Sequence, residues 1–201
     1  MEFRELLARR RMVRHYLPEP VPRETLERIV GTVRRAPSAG FSQGQRLLVV
    51  TDPTLIEALA AEETRERPEG VEPWFPSAAA HVLVLTREED YHDRYRSPDK
   101  LRDGAEIEWP VPFWFVDAGA ALMLVLLAAI DEGFAAGVYG VPVEVEPTVR
   151  ALLAIPDDLT IVAGITLGKP APDPGWSRVT SRATQRRRKI DELVRWQRWS
   201  S

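Results

Sequence analysis

The stretch from Asp117 to Pro142, DAGAALMLVLLAAIDEGFAAGVYGVP, constrains the fold more than any other, because it joins the most apolar segment of the chain to its most glycine-rich turn. No charged or strongly polar residue occurs from Ala118 to Ile130. A helix with no polar face has to be covered on every side, so this segment predicts a core helix on which the other elements pack. Its about 13 residues fall short of the about 20 that a bilayer-spanning helix needs. Asp117 is the expected N-cap and Gly133 the expected left-handed residue that ends the helix. Further on, Gly137 and Gly140 bracket Val138 and Tyr139. Glycines at that spacing let bare backbone approach something flat or anionic, and they equally suit an ordinary turn into a strand, which the residues alone favour.

With 201 residues the chain has room for one sizeable core, and 44% hydrophobic with 28% charged residues is the profile of a soluble globular protein. A net charge of −3 makes no overall electrostatic case for nucleic acid or an anionic membrane, so neither is expected as a partner. Cysteine is absent, which removes disulfides, thiolate nucleophiles and cysteine-ligated metals together. The N-terminus carries Arg4, Arg9, Arg10, Arg11 and Arg14 but no apolar core of a secretory signal, and a cytoplasmic location is expected.

Taken in order, residues 2–10 read as a helix with Phe3, Leu6 and Leu7 at helical spacing, running into the arginine cluster. Arg23 to Arg34 predicts a second amphipathic helix begun after Pro22 and ended near Ala36 by Pro37. The loop Pro37 to Gln45 combines small residues, glycines and amides, and serves either to touch a ligand or as a tight connection. Apolar strands are expected at residues 46–51, 81–86 and 160–167, with helices opening at Asp52-Pro53 and Glu146-Pro147. Residues 65–80 read as a surface excursion. Residues 87–112 read as a long charged and aromatic loop, a lid or an interface. Trp109, Phe113, Trp114 and Phe115 at its end either stack on a planar ligand or anchor the following helix. The sum is an α+β domain of three or four strands covered by helices. The tail 168–201 carries Leu193, Val194, Trp196 and Trp199, which need a host, and a partner subunit is the expected one.

Arginine clusters at residues 9–14 and 186–188 would make a phosphate site if the fold joined them, since guanidinium forks match phosphate oxygens; otherwise they are solvated helix ends. There is no Walker loop, dinucleotide fingerprint or serine elbow, and His15, His81 and His92 lack metal-ligand spacing, so no metal site is expected. The chemistry left open is that of a phosphate-bearing planar cofactor.

The segment RRMVRHYLPEPVP, followed by RRAPSAGFSQGQRLLVVTD, resembles the opening of the FMN-dependent nitroreductase family, with its RRSVR-x-F and APS-x-x-N-x-QPW patterns. DAGAALMLVLLAAIDEGFAAGVYG is similar to that family's central helix and glycine turn, and LLAIPDDLTIVAGITLGKP to its later IP-x-x-L…LG-x-P segment. The matches are colinear and span nearly the whole chain. The resemblance implies a central mixed sheet covered by helices and an intertwined homodimer. It also implies residues 1–168 as the FMN-binding domain, with 169–201 as an arm crossing to the partner. By the same resemblance Arg10, Arg11 and the backbone near Met12 hold the FMN phosphate and ribityl chain, and Arg14 lies near the flavin N1 and O2 edge. Pro37, Ser38, Phe41 and Gln43 border the isoalloxazine, Tyr139 and Gly140 face N5, and Arg187 with Arg188 complete the phosphate site. NAD(P)H is the implied co-substrate and a small molecule such as a nitroaromatic or quinone the implied electron acceptor, exchanged in ping-pong fashion. Phe41, Trp109, Phe113 and Trp114 are the implied apolar walls for substrate, and no side chain is assigned as a catalytic acid or base.

The chain departs from the family pattern at Met12, where serine is usual, at Phe41, where asparagine is usual, and at Gly44 and Gln45, which replace Pro-Trp. Phe41 also resembles the loop of the related dimethylbenzimidazole synthases. A flavin-storage or regulatory module with little turnover is the alternative from a different class.

Overall fold

The computed structural model describes residues 1–65, 77–172 and 187–199. The chain divides into two compact units, Met1–Ala171 and Pro172–Ser201. In the first, α1 (Phe3–Arg9), α2 (Arg23–Gly31), β1 (Gln45–Val50), α3 (Pro53–Arg65) and β2 (Ala80–Thr86) are followed by α4 (Glu89–Tyr95) and α5 (Phe113–Asp131). Then come β3 (Ala135–Tyr139), α6 (Glu146–Leu153) and β4 (Thr160–Gly168).

The sheet runs β1-β2-β4-β3, and every ladder among the described residues is antiparallel, which corrects the mixed sheet that the family resemblance implied. The pleat sorts its side chains into two layers. Val82, Val84, Ile165 and Leu167 meet α2 and α5 through Leu26, Ile29, Ala118, Val125 and Ala129. Leu83, Leu85 and Val50 meet α3 and α6 through Ile56, Leu59 and Val149. Each fully buried Ile or Leu contributes about 1.5–3 kcal/mol, so the two helical layers hold the sheet between them.

Local signals place most element ends. Asp52 Oδ1 accepts from the Thr54 amide at 2.8 Å and starts α3. Gly133 ends α5 at φ 79°, as its position predicted. Three expectations change. First, α5 starts at Phe113, not Asp117, because Trp114 packs on Tyr91 and draws the preceding residues into the helix, leaving Asp117 inside it and buried. At 19 residues α5 is long and apolar enough to cross a bilayer by composition, but it packs on α2 and the sheet as a core helix. Nor is it covered on every side within one chain, since Phe115, Val116 and Met123 are exposed. Second, residues 137–139 are strand, not turn: β3 pairs with β4 from Ala135↔Gly168 to Tyr139↔Gly164. Third, the expected loop 87–112 contains α4, a charged helix with a single buried residue, Tyr91. Asp90 and Asp93 of this helix pair with Arg87 before it and Arg96 at its end, each pair adding about 0.2–0.5 kcal/mol.

Residues 66–76, most of the predicted surface excursion, lie outside the described residues. In the second unit, α7 (Ile190–Leu193) is a single turn, and Ile190, Leu193, Val194, Trp196 and Trp199 are exposed. Arg195 stacks its guanidinium over Trp199 at 5.1 Å.

Candidate functional site

The arginine segment after α1 is laid across the edge strand β3. The Val13 amide donates to Ala136 O at 3.0 Å, and Val13 O lies so close to Gly137 that a Cβ there would overlap it. Tyr16 pins the segment from below: its hydroxyl donates to Val13 O at 2.6 Å and lies 2.8 Å from the Thr166 hydroxyl. Burial pushes the Tyr16 phenol well above its ordinary pKa, so it remains a donor. Residues 15–17 then pair with the chain leaving β4 through Leu17 N to Lys169 O and Ala171 N to His15 O. Arg10 and Arg11 are thereby held on a fixed backbone with no ion-pair partner among the described residues, whereas Arg9 is taken by Glu5. A cleft of about 450 Å³ opens here, lined by Arg9, Arg11, Val13, Phe134, Ala136 and Pro170. Met12, standing where the family has serine, is 45% exposed and offers no hydroxyl. Arg14 is half-buried.

The loop 37–44 lies at the opposite edge of the sheet, leading into β1. Pro37 and Gln43 are exposed and Ser38 is half-buried. The Ser38 hydroxyl oxygen accepts from the Gln43 amide at 3.0 Å, closing the loop on itself. Between them Phe41 sits at φ 62° with 74% of its surface exposed, and Gln43 at φ 53°. A bulky residue in the left-handed region is strained, and such outliers gather at functional sites. Phe41 and Gln43 line a hollow of about 170 Å³ with Val33 and Ala36.

At the end of β3, Tyr139 and Gly140 line a third, smaller hollow with Leu59, Glu62 and Val145. The Tyr139 hydroxyl lies 3.1 Å from Nδ1 of the fully buried His81, and burial raises its pKa. Gly140 is exposed with nothing near the place a Cβ would occupy.

The aromatic residues do not stand free. Trp109 packs on Tyr95 at 4.4 Å between centroids and donates its indole N–H to Glu106 at 2.8 Å. Phe113 lies 6.2 Å from Trp109, and Trp114 is 9% exposed against Tyr91. These rings join α4 to α5, the anchoring role rather than an open lid. Glu106 also meets His92 Nδ1 at 2.5 Å and Arg96, and that contact holds the His92 pKa above its ordinary value.

Within one chain these residue groups stand apart. The arginine segment and Tyr139 lie along β3, whereas Phe41 and Gln43 lie before β1, three strand spacings or roughly 14 Å across the sheet. Arg187 and Arg188 are exposed in the second unit. The residues that sequence reasoning missed are Tyr91, Arg94 and Tyr95 of α4 and the inward role of Asp117. Its only signal was an acid set inside an otherwise apolar run.

An antiparallel sheet between two helical layers, with a basic segment tied to its edge strand, defines an α+β architecture. The family model described as "Nitroreductase family" matches residues 7–169, and the chain belongs to that family. It is 27% identical over 192 residues to a nitrobenzene nitroreductase of Ectopseudomonas oleovorans, covering 82% of this chain and 85% of that protein. It is 26% identical over 196 residues to a chloronitrobenzene nitroreductase of Comamonas testosteroni, with 82% and 85% covered. Its fold matches that of an NADPH:FMN oxidoreductase from Vibrio harveyi, solved with NAD+, at a TM-score of 0.72 and 20% identity, over 98% of this chain and 77% of that one.

Proposed function

We propose that the protein is a cytoplasmic, homodimeric FMN-dependent oxidoreductase that takes electrons from NAD(P)H and delivers them to small planar acceptors, nitroaromatics or quinones. The observation that carries this is the pair Arg10 and Arg11, with no ion-pair partner among the described residues, on a backbone locked to β3 beside an open cleft that Arg11 lines. Unpaired arginines held in a fixed place suit a phosphate, whose oxygens they meet in bidentate geometry. The residues present therefore fit a phosphate-bearing flavin.

Arg10 and Arg11 would bind the phosphate, with Arg187 and Arg188 assigned to the same end by family likeness. By the same likeness Arg14 and the bare backbone at Gly140 would hold its ring, Arg14 adding positive charge that stabilises the reduced form. FMN, when bound, would supply the redox chemistry between NAD(P)H and the acceptor. The protein's own part is to bind, orient and exclude water, and no side chain is assigned as a general acid. The half-sites at the two sheet edges support a dimer in which a second copy brings its Phe41 loop to the first copy's arginine segment. The exposed apolar strip of α5, through Val116 and Met123, supports the same association.

The test is direct. Purified protein should carry one FMN per chain, bleach on anaerobic mixing with NADPH, and regain colour with nitrobenzene. A colourless protein, or bound flavin that NADPH does not bleach, would refute the enzymatic assignment, and the second result would favour a storage module.

A further inference from the structure

Asp117 is 6% exposed, and both of its hydrogen-bond donors converge on one oxygen. Oδ2 accepts from the Ala39 amide at 2.9 Å and from the Tyr91 hydroxyl at 2.9 Å. A carboxyl group is kept out of water only where donors meet it, so this one is committed to the loop 37–44 and to α4 together.

α4 grips the same loop independently. The Tyr91 ring fills the space a Cβ at Gly44 would occupy, and that Cβ would also stand 2.8 Å from Arg87 O. Tyr95, one turn later, would lie 2.7 Å from a Cβ at Gly40, and Arg94 Nε donates to Gly40 O at 2.8 Å. Gly44 stands where the family usually has proline, and the Tyr91 ring is the physical reason proline is excluded here. The two gripped glycines flank Phe41. Between them Phe41 and Gln43 keep positive φ angles, a conformation that bulky side chains leave unless their neighbours hold them.

We propose that Asp117 is a positioning residue: with Tyr91 it fixes the loop that presents the exposed Phe41 ring, and so sets which acceptor the site takes. This rests on the flavin-site assignment above and deepens it by naming what determines acceptor choice. Burial, with Asp117 adding to it, raises the Tyr91 phenol, so the hydroxyl remains a donor through neutral pH.

The experiment uses the full-length holoprotein as Asp117→Ala, which removes the accepting oxygen, Tyr91→Phe and the double variant, with nitrobenzene and p-benzoquinone as acceptors. Fluorine-labelled phenylalanine, assigned by the resonance lost in Phe41→Leu, reports the ring's environment without reference to activity. The expected result is a shifted Phe41 resonance and a KM for nitrobenzene raised about tenfold relative to that for benzoquinone, the scale of one lost buried hydrogen bond. The double variant is no worse than Asp117→Ala, because the two residues share a bond. Lower thermal stability with an unmoved resonance and an unchanged acceptor ratio would overturn the proposal. Should Asp117→Ala fail to fold, Tyr91→Phe, which removes one oxygen and keeps the ring on Gly44, decides it by the same readouts. A wild-type protein that binds no FMN would instead overturn the flavin-site assignment, and the Phe41 resonance alone would then judge the clamp.

Discussion

The ring of Tyr139 lies directly on the bare backbone of Gly164, its cross-strand partner on β4, and its hydroxyl reaches His81 on β2. A Cβ at Gly164 would fall inside that ring. Gly164→Ala should therefore push Tyr139 off the sheet and cost about 1–3 kcal/mol, the usual penalty of overpacking a filled core. Urea unfolding reads the loss, and an unchanged midpoint would mean that the stack does not exist in solution.

Arg10→Ala should weaken FMN at least about tenfold, since a charged hydrogen bond contributes about 1.5–3 kcal/mol. Riboflavin, which lacks the phosphate, should bind nearly as before. Titration of apoprotein with both ligands checks this, and equal losses would remove Arg10 from the phosphate site.

Phe41→Asn should stabilise the fold. An L residue in the left-handed region costs on the order of 1–2 kcal/mol, and asparagine tolerates it best among the larger side chains. Phe41 at φ 62° gains nothing from burial in one chain to offset that cost. Thermal melting of the two proteins is the measurement, and a lower melting temperature for Phe41→Asn would show the ring is held by contacts not seen within one chain.

The His92–Glu106 contact should make stability depend on pH. Glu106 raises the His92 pKa above its ordinary 6.5, with Glu88 adding to it. A raised histidine stabilises most below its unfolded value, so the contribution is full below 6.5 and fades as pH rises through the higher folded value. Glu106 is opposed by burial yet held below its ordinary value by Trp109 and His92, which protects the contact on the acid side. Melting curves between neutral and mildly acid pH should steepen this trend in wild type and lose it in His92→Gln.

Met123→Glu places a charge on the exposed apolar strip of α5. If a second copy covers that strip, the variant should run as a monomer by light scattering and lose its flavin, because each half-site then lacks its complement. A flavin-loaded monomer would count against the dimeric site.

α2, β1, α3, β2, α6 and β4 were legible because their signals are local. Helical spacing of Leu26 and Ile29, the Asp52-Pro53 start and the Gly133 stop all act within a few residues. The basic segment and the loop 37–44 were legible for the same reason, as motifs along the chain. α4 was not, because a helix that buries only Tyr91 has no apolar period to show. Asp117 read as a cap because capping is the commonest use of an acid before an apolar run, and only the arrival of Tyr91 and Ala39 from elsewhere gave it another.

By itself the sequence determined the order of most elements, their apolar faces and the basic residues available to a phosphate. Tertiary structure decided that Gly137 and Tyr139 are strand rather than turn, since that depends on Val13 crossing above them and on β4 pairing beside them. It also decided that the Phe41 loop and the arginine segment stand at opposite sheet edges. Strand order is set by which surfaces bury each other across long stretches of chain, and no spacing of neighbouring residues carries that information.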